Sequence, residues 1–257
     1  MDTLPLKIVL TPALIGAASL AGRRWGPAVS GWLVGLPFTS GPVALFLALE
    51  QGPGFAASVA TGTLLGTAAQ AAFAVAYARL RPRAAWPASV AVGSVGFFVV
   101  GLGLRSASPG LAPAALIALA VLVGALALMP RAAAVAGPAA ARPGWDLPAR
   151  MVLATAIVLG LTALAPALGP LLTGILSTFP VYASILAVFA HVLEGRPAGI
   201  AVLRGLLVGL FAFAGFFIVL GALIERAGIA LGFAIALAVA LAVQAASLRL
   251  VRHRRSA

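Results

Sequence analysis

Residues able to carry acid, base or metal chemistry are scarce in this chain, although His191 and Glu194 stand three residues apart in an apolar segment. This spacing puts both side chains on one face of a helix, where they could supply two metal ligands. No further His, Cys or Asp lies within reach on the neighbouring predicted helices. The sequence therefore predicts neither a metal site nor a bound cofactor.

The acidic residues lie away from the predicted helix centres. Asp2 falls in the N-terminal tail and Asp146 in a predicted linker, while Glu50, Glu194 and Glu225 end predicted helices. Intramembrane enzymes need acids, bases or metal ligands that face a cavity. The chain also has no cysteine, which excludes a thiol nucleophile. We therefore expect no enzymatic activity, and no proton coupling through a carboxylate at the membrane centre.

Two predicted helices have a proline near the centre, surrounded by small polar residues. Proline removes a backbone donor and clashes with the preceding turn, so a broken helix leaves carbonyl groups unpaired within the membrane. Breaks at matching positions in two halves of a chain are typical of transporter binding sites. The alternative is that the prolines only kink helices so that the segments pack well. The candidate substrate pathway comprises Pro37, Phe38, Thr39, Ser40, Gly41, Ser177, Thr178, Pro180 and Tyr182.

Three further polar residues are secondary candidates for this pathway, namely Gln70, His191 and Glu194. Gln70 lies within the third predicted helix and could face a polar path. By the rise per residue, His191 lies about 15 Å from the level of Pro180, near the cytoplasmic surface of the membrane. An ionisable residue in a membrane segment is a candidate for function, whereas an interfacial histidine beside a glutamate is commonly only solvated. Both interpretations of His191 stay open on the sequence.

The composition is that of a polytopic membrane protein. Hydrophobic residues make up 63% of the 257 residues and charged residues 9%, whereas about a quarter of a soluble domain is charged. The mean hydropathy is +1.15. The net charge is +12, but the arginines stand singly or in short groups between apolar segments, which is typical of membrane loops rather than of a nucleic-acid-binding surface. We expect the lipid bilayer as a partner and no nucleic acid, and the sequence leaves a homo-oligomer open.

Nine segments have the length of about 20 apolar residues that a membrane-spanning helix needs. They are predicted at 4–22, 27–49, 55–78, 85–104, 110–129, 149–165, 170–192, 198–223 and 228–248. The stretch between the fifth and sixth segments is rich in Ala, Gly and Pro, so we predict a linker over 131–148 rather than a helix. The predicted fold class is all-α and integral to the membrane, with nine transmembrane helices.

The chain contains an internal duplication. Shifting the sequence by 143 residues aligns 4–73 with 147–216 without a gap and gives 20 identities in 70 positions. Recurring glycines and prolines indicate a shared backbone geometry, and glycines four residues apart predict close helix packing inside the bundle. The recurring pairs are Pro5/Pro148, Gly26/Gly169, Pro27/Pro170, Gly31/Gly174, Pro37/Pro180, Gly52/Gly195, Gly62/Gly205 and Gly66/Gly209.

The duplication predicts two repeats of four helices, at 1–108 and 149–257, joined through a central fifth helix and a cytoplasmic linker at 109–148. An unmatched fifth helix makes the second repeat begin on the opposite side of the membrane, so the repeats are inverted. With the N-terminus outside, the predicted inward loops and tail carry twelve arginines and the outward ones three basic residues. We therefore predict a multi-pass protein with its N-terminus outside and its C-terminus in the cytoplasm.

The second repeat resembles the GlpM-like family of small four-helix bacterial inner-membrane proteins. The resemblance lies in the run from Gly174 through Pro180, in the loop at His191 and Glu194, and in the start of the eighth helix at 199–206. It covers about two fifths of the chain directly and most of the rest through the internal repeat. What it implies is a bacterial inner-membrane location. The activity of the family is poorly defined, and the resemblance gives no catalytic residue to transfer.

Together these features predict a small-solute secondary transporter that works by alternating access of two inverted repeats. Half-helix N-termini at the breaks would favour an anionic or strongly polar solute. One alternative is a non-transporting scaffold or regulatory partner of another membrane enzyme, which would have a dry core and an outward-facing surface of paired glycines. Another is a lipid flippase, whose polar path would open sideways to the lipid. The sequence names neither the solute nor a coupling ion.

Overall fold

A computed structural model of the chain describes residues 4–37, 40–81, 84–107, 109–130, 145–164 and 175–253. The regular elements in these ranges are all helices, as the sequence predicts. In chain order they are α1 Leu4–Trp25, α2 Pro27–Val34, α3 Ser40–Gln51, α4 Pro53–Arg79, α5 Trp86–Ala107, α6 Leu111–Leu128, α7 Asp146–Leu164, α8 Val181–Glu194 and α9 Arg196–His253. A helical turn at 175–177 precedes α8.

Five stretches of the described helices are long and apolar enough to cross a membrane. They are Pro53–Arg79, Trp86–Ala107, Leu111–Leu128, Ile175–Glu194 and Arg196–Ser247. The last of them has 52 residues, which at the helical rise is more than twice the roughly 30 Å of a bilayer's hydrocarbon core. A straight helix of that length would leave the membrane, so this element has to turn back.

Gly228 makes this turn and divides α9 into a first arm, 196–227, and a second arm, 229–253. Its φ of 78° and ψ of 173° are not helical, and residues with a Cβ atom rarely adopt them. A Cβ atom on Gly232 would lie 3.2 Å from the Cα atom of Ile224. Because these two residues are equally far from Gly228 along the chain, the arms run antiparallel as a helical hairpin.

Three more glycines make the same kind of turn between consecutive helices. Gly26 has a φ of 93° and a ψ of 165°, Gly52 has 89° and 167°, and Gly195 has 91° and 166°. This region of backbone space belongs almost only to glycine, and it lets two helices join through one residue. Gly52 and Gly195, which the sequence alignment at an offset of 143 residues pairs, have matching backbone conformations.

The helix α4 forms the centre of the bundle. In the most apolar stretch of 18 residues, 78% of the α4 residues are buried, against 22% in α5 and 28% in α6. The helices α5 and α6 therefore lie at the periphery, with apolar side chains exposed on the surface of the bundle. On the other side, α2 packs along the first arm of α9. A Cβ atom on Gly31 would lie 2.7 Å from the carbonyl carbon of Val202, and one on Gly205 would lie 2.8 Å from that of Ala28. These two helices touch backbone to backbone.

One face of the bundle, which we call the basic face, gathers the helix ends that carry Arg23, Arg79, Arg150 and Arg196. Arg23 at the end of α1 pairs with Asp146 at the start of α7. The Nε of Arg79 at the end of α4 donates to the last carbonyl of α6 at 2.9 Å. Arg196 at the start of α9 donates to carbonyls at the end of α4. The ends of α1, α4 and α6 therefore meet the starts of α7 and α9.

The helix boundaries differ from the sequence-based prediction at both proline breaks and at the predicted linker. The predicted segment 27–49 is two helices, α2 and α3, because the chain leaves the helical path around Pro37. The linker predicted at 131–148 ends earlier, since Asp146 is the first residue of α7. An acidic residue is stabilising at a helix N-terminus, where the backbone N–H groups carry partial positive charge. Residues 131–144 of that linker lie outside the described ranges.

Candidate functional site

The first helix break lies at Pro37, between α2 and α3. The helical path resumes at Ser40, and the N–H of Gly41 donates to the carbonyl of Pro37 at 2.9 Å. Both Ser40 and Gly41 are buried. The two other candidate residues at this break, Phe38 and Thr39, lie outside the described residues, and the structure tests nothing about them.

The second helix break lies at Pro180, between the turn at 175–177 and α8. The N–H of Thr178 donates to the carbonyl of Ile175 at 3.1 Å, which closes the turn. The helix begins again beyond Pro180, whose carbonyl accepts the N–H of Ser184 at 2.8 Å. As expected for a proline inside an apolar segment, the helix is interrupted there.

The two breaks meet inside the bundle. The hydroxyl of Ser40 donates to the carbonyl oxygen of Ser177 at 3.5 Å, which joins the start of α3 to the end of the 175–177 turn. Gln70 reaches the same place from α4, and its Nε2 donates to the carbonyl oxygen of Thr178. Ser40 is 4% exposed, Thr178 1% and Gln70 7%. We call these four residues the junction.

Thr178 is held from two sides. Its hydroxyl donates to the carbonyl oxygen of Ile175 at 2.5 Å, so its hydrogen is used within the turn. A Cβ atom on Gly66 would overlap the Thr178 side chain. The threonine therefore fits its site only because α4 has a glycine at that level.

The remaining candidate residues of the pathway border the junction. Pro37 and Pro180 are buried, and Tyr182 is half-buried in the first turn of α8. Of the nine pathway residues, Ser40 contacts Ser177, and Thr178 follows Ser177 in the chain. The secondary candidate Gln70 belongs to the same group.

The two other secondary candidates lie at the basic face instead. The Tyr77 hydroxyl and His191 Nδ1 form a hydrogen bond of 2.9 Å between α4 and α8. Glu194, the last residue of α8, lines a small cavity of about 20 Å³ together with Ser19 and Arg150. That volume holds about one water molecule. The sequence placed His191 near a membrane surface, and the structure puts it with the arginine-bearing helix ends rather than at the junction.

Asp146 is a site residue that sequence reasoning missed. It is fully buried and accepts from Arg150 Nε at 2.8 Å and from Arg23 at 3.2 Å. The guanidinium of Arg150 also lies 4.6 Å from the ring centre of Phe189. The spacing of four residues between Asp146 and Arg150 was the available signal, because it pairs the two side chains on one helix face.

An aromatic cluster next to Pro180 was also missed. The ring of Phe179 lies 5.2 Å from that of Phe97, 5.9 Å from that of Phe98 and 6.2 Å from that of Phe73, measured between centroids. The cluster ties the break to α4 and α5 through edge-to-face and stacked contacts. No single-sequence signal identifies it, because partners on three elements have to be known first.

The arrangement offers hydrogen-bonding groups but no acid–base or metal chemistry at the junction. Among the residues that the structure describes, no group of three or more His, Cys, Asp or Glu could hold a metal ion. The junction consists of hydroxyl, amide and backbone carbonyl groups, which donate and accept hydrogen bonds.

No family model, no curated protein and no solved structure is significantly similar to this chain. The resemblance to the GlpM-like family therefore stays a prediction from the residues quoted above.

Proposed function

We propose that the chain consists of two inverted repeats whose broken helices cross from one repeat to the other. The strongest support is a reciprocal pair of contacts. Gly35 at the end of α2 would place a Cβ atom 2.5 Å from the Cα atom of Gly209. Shifting both positions by 143 residues, in opposite directions, gives Thr178 and Gly66, which also pack together. Reciprocity of this kind is what a twofold relation between two halves produces.

A second pair of contacts obeys the same exchange. Gln244 on the second arm of α9 donates to the carbonyl oxygen of Trp32 at 2.9 Å. The exchanged positions are Gly101 on α5 and Ile175, and a Cβ atom on Gly101 would lie 3.1 Å from Ile175 Cγ2. Different residue types thus make equivalent contacts, so the equivalence lies in the backbone arrangement rather than in side-chain identity.

The direction of the broken helices supports inversion. Pro27, the first residue of α2, and Glu194, the last residue of α8, line the same cavity at the basic face. The first broken helix therefore starts at this face, whereas its counterpart ends there. Two corresponding segments that run in opposite directions are expected when the axis between the repeats lies in the membrane plane.

From this arrangement we infer a small-solute secondary transporter that works by alternating access, with the junction as its substrate site. The observation that carries the proposal is the contact between Ser40 and the Ser177 carbonyl, because it joins the breaks of both repeats at one buried point. Rocking of one repeat against the other would open this point to each side in turn. The start of α3, with its backbone N–H groups, would favour an anionic or strongly polar solute.

The location that fits this function is the bacterial inner membrane, with the N-terminus outside. The basic face would be cytoplasmic, because loops rich in arginine stay on that side. The resemblance to the GlpM-like family agrees with this location.

The scaffold alternative fits the packing less well. It requires paired glycines on an outward surface, where a partner helix could approach. Gly62, Gly66, Gly205 and Gly209 are instead buried inside the bundle. The close packing at Gly66 and Thr178 does favour a dry junction in this conformation, which is also expected of an occluded transporter.

The proposal can be tested by solute exchange in proteoliposomes loaded with a mixed extract of small cell metabolites. Mass spectrometry would identify solutes that the wild-type chain releases and that a Ser40→Leu variant retains. Leucine at this buried position would fill the junction while leaving membrane insertion intact. Val99→Leu, on the lipid-exposed side of α5, is the matched control and should behave as wild type. Equal release by Ser40→Leu and wild type would contradict the site.

A further inference from the structure

The junction presents oxygen atoms whose hydrogens are already used. The Ser40 hydroxyl donates to the Ser177 carbonyl at 3.5 Å, and the Thr178 hydroxyl donates to the Ile175 carbonyl at 2.5 Å. A hydroxyl group has one hydrogen and two lone pairs. Because both hydroxyl hydrogens are donated to carbonyl oxygens, the two hydroxyl groups can make further interactions only through their oxygen lone pairs.

Gln70 adds a further acceptor. Its Nε2 donates to the Thr178 carbonyl oxygen, while its Oε1 is buried and has no hydrogen-bond partner in the structure. The residue is 7% exposed, so bulk water does not replace that partner. A buried acceptor without a partner is unfavourable. Because Oε1 and Nε2 are bonded to one carbon atom, the free oxygen lies beside the end of the 175–177 turn.

The backbone strengthens the negative potential at this point. The last carbonyl groups of a helical segment have no intrahelical donor and carry partial negative charge. The carbonyl oxygen of Thr178 accepts one hydrogen bond, from Gln70, and has a second lone pair. Hydroxyl, amide and carbonyl oxygens from α3, α4 and the end of the 175–177 turn thus meet at one buried point.

This set of groups selects a cation of low charge. Divalent cations in proteins are held largely by carboxylates, and the structure shows no group of three or more acidic or metal-binding side chains in its described residues. Neutral oxygens at the end of an interrupted helix are the ligands that transporters use for Na⁺. The close packing around Thr178 favours the smaller alkali cation over K⁺.

We propose that the junction binds Na⁺ through Gln70 Oε1, the hydroxyl oxygens of Ser40 and Thr178, and the carbonyl oxygen of Thr178. This inference rests on the proposed transport function, in which Na⁺ is the coupling ion. Because the cation links α3 of the first repeat to the 175–177 turn of the second, its binding favours the conformation in which the two breaks touch.

Gln244 provides a matched comparison on the other broken helix. It is 3% exposed, its Nε2 donates to the Trp32 carbonyl at 2.9 Å, and its Oε1 also lacks a hydrogen-bond partner. Its surroundings differ, because the neighbouring Ser247 hydroxyl oxygen already accepts the indole N–H of Trp32 at 2.8 Å. The Gln244 site therefore has fewer free acceptors, and we expect no Na⁺ there.

The test is direct binding of ²²Na⁺ to the purified full chain in detergent, with choline chloride keeping the ionic strength constant. The wild type should bind Na⁺ saturably and lose the label to unlabelled Na⁺ but not to choline. Gln70→Met keeps the side-chain length without the oxygen and should weaken binding at least tenfold. Ser40→Ala removes one ligand with little change in packing and should weaken binding several-fold. Gln244→Met should bind as the wild type does.

Three results would overturn the inference. The first is no saturable binding by the wild type. The second is wild-type affinity in Ser40→Ala, which keeps the test decisive even where Gln70→Met fails to fold. The third is displacement by K⁺ as effective as by Na⁺. Saturable Na⁺ binding without any solute flux would contradict the transport function and leave the cation site standing. Solute flux without Na⁺ binding would contradict the cation site and leave the transport function standing.

Discussion

Thr178 occupies the space that the missing side chain of Gly66 leaves on α4, so that a Cβ atom at position 66 would overlap the threonine side chain. In the exchanged contact, Gly35 and Gly209 meet backbone to backbone. The first contact has Thr178 facing Gly66 on α4, and the second has Gly35 facing Gly209 on α9. The helices approach closely in both because the residue on α4 or α9 is a glycine. Both contacts therefore show close helix approach at a glycine.

Replacement of Gly66 tests this relationship. Gly66→Ala should destabilise the protein by about 1–3 kcal/mol, the usual cost of an added methyl group in a filled space. Adding Thr178→Ala should recover much of the loss, because the alanine makes room for the new methyl group. Gly124→Ala is the control, since nothing lies within 4 Å of a Cβ atom there. Equilibrium unfolding in mixed micelles measures all four chains, and a double variant no more stable than Gly66→Ala would contradict the contact.

The turn glycines Gly52 and Gly195 predict a matched pair of effects. Both have φ near 90° and ψ near 166°, where a residue with a Cβ atom is strained by about 1–3 kcal/mol. Gly52→Ala and Gly195→Ala should therefore lower the unfolding free energy by similar amounts, although nothing lies within 4 Å of a Cβ atom at position 52. Gly103→Ala, in the same open environment but within α5, should cost nothing or stabilise slightly. Unequal effects at positions 52 and 195 would count against equivalent turns.

The helix breaks were predictable because their cause is local. Proline disfavours a continuous helix, so Pro37 and Pro180 could be identified as candidate breaks from composition and spacing. Pro12, by contrast, lies within the continuous helix α1. The duplication then indicated that the two breaks correspond. That Ser40 touches the Ser177 carbonyl was not predictable, since this contact depends on how α3 and the 175–177 turn cross in three dimensions.

Replacement of Asp146 should destabilise the protein more than replacement of its exposed partner Arg23. Its carboxylate is fully buried between Arg150, which is 7% exposed, and Arg23, whose side chain is 35% exposed. Asp146→Ala should cost about 3–5 kcal/mol, because it removes the counter-charge of a buried guanidinium. Arg23→Ala should cost about 1 kcal/mol or less, since solvent already screens this pair. Thermal unfolding of the purified variants ranks the two losses of stability. Equal losses in Asp146→Ala and Arg23→Ala would contradict a dominant contribution from the buried Asp146–Arg150 pair.

The role of Asp146 escaped sequence reasoning for a physical reason. A stretch rich in Ala, Gly and Pro predicts a linker, and an aspartate at its end suits a solvated position as well as a helix start. The pairing with Arg150 follows from a spacing of four residues, but the contact with Arg23, which is 123 residues away in sequence, does not. Long-range electrostatic partners are not encoded in local spacing.

Arg196 should hold the end of α4 in place. Its guanidinium donates to the carbonyls of Ala78 at 2.9 Å and of Leu80 and Arg81 at 2.7 Å. Lysine has a single ammonium group and cannot reproduce this fork. Arg196→Lys should therefore speed amide hydrogen exchange in the last turn of α4 roughly tenfold, the effect of losing one charge-assisted hydrogen bond.

The control for this prediction is Arg226→Lys, at an exposed position near the Gly228 turn. It should leave exchange in α4 unchanged. Hydrogen–deuterium exchange with mass spectrometry resolves the peptide concerned. Identical protection in Arg196→Lys and wild type would mean that the capping bonds contribute nothing to the stability of the α4 end.

The most direct test of the central claim is whether water reaches the junction from both sides of the membrane. The chain has no cysteine, so Ser40→Cys and Ser177→Cys can be made without any background. Ala85→Cys, exposed just before α5, is the positive control, and Val99→Cys, exposed on α5 within a candidate span, is the lipid-facing control. In oriented membrane vesicles, a small membrane-impermeant thiol reagent added to either side should label both junction cysteines slowly and spare Val99→Cys. Labelling of Ala85→Cys alone would contradict alternating access and identify the junction as a permanently packed core.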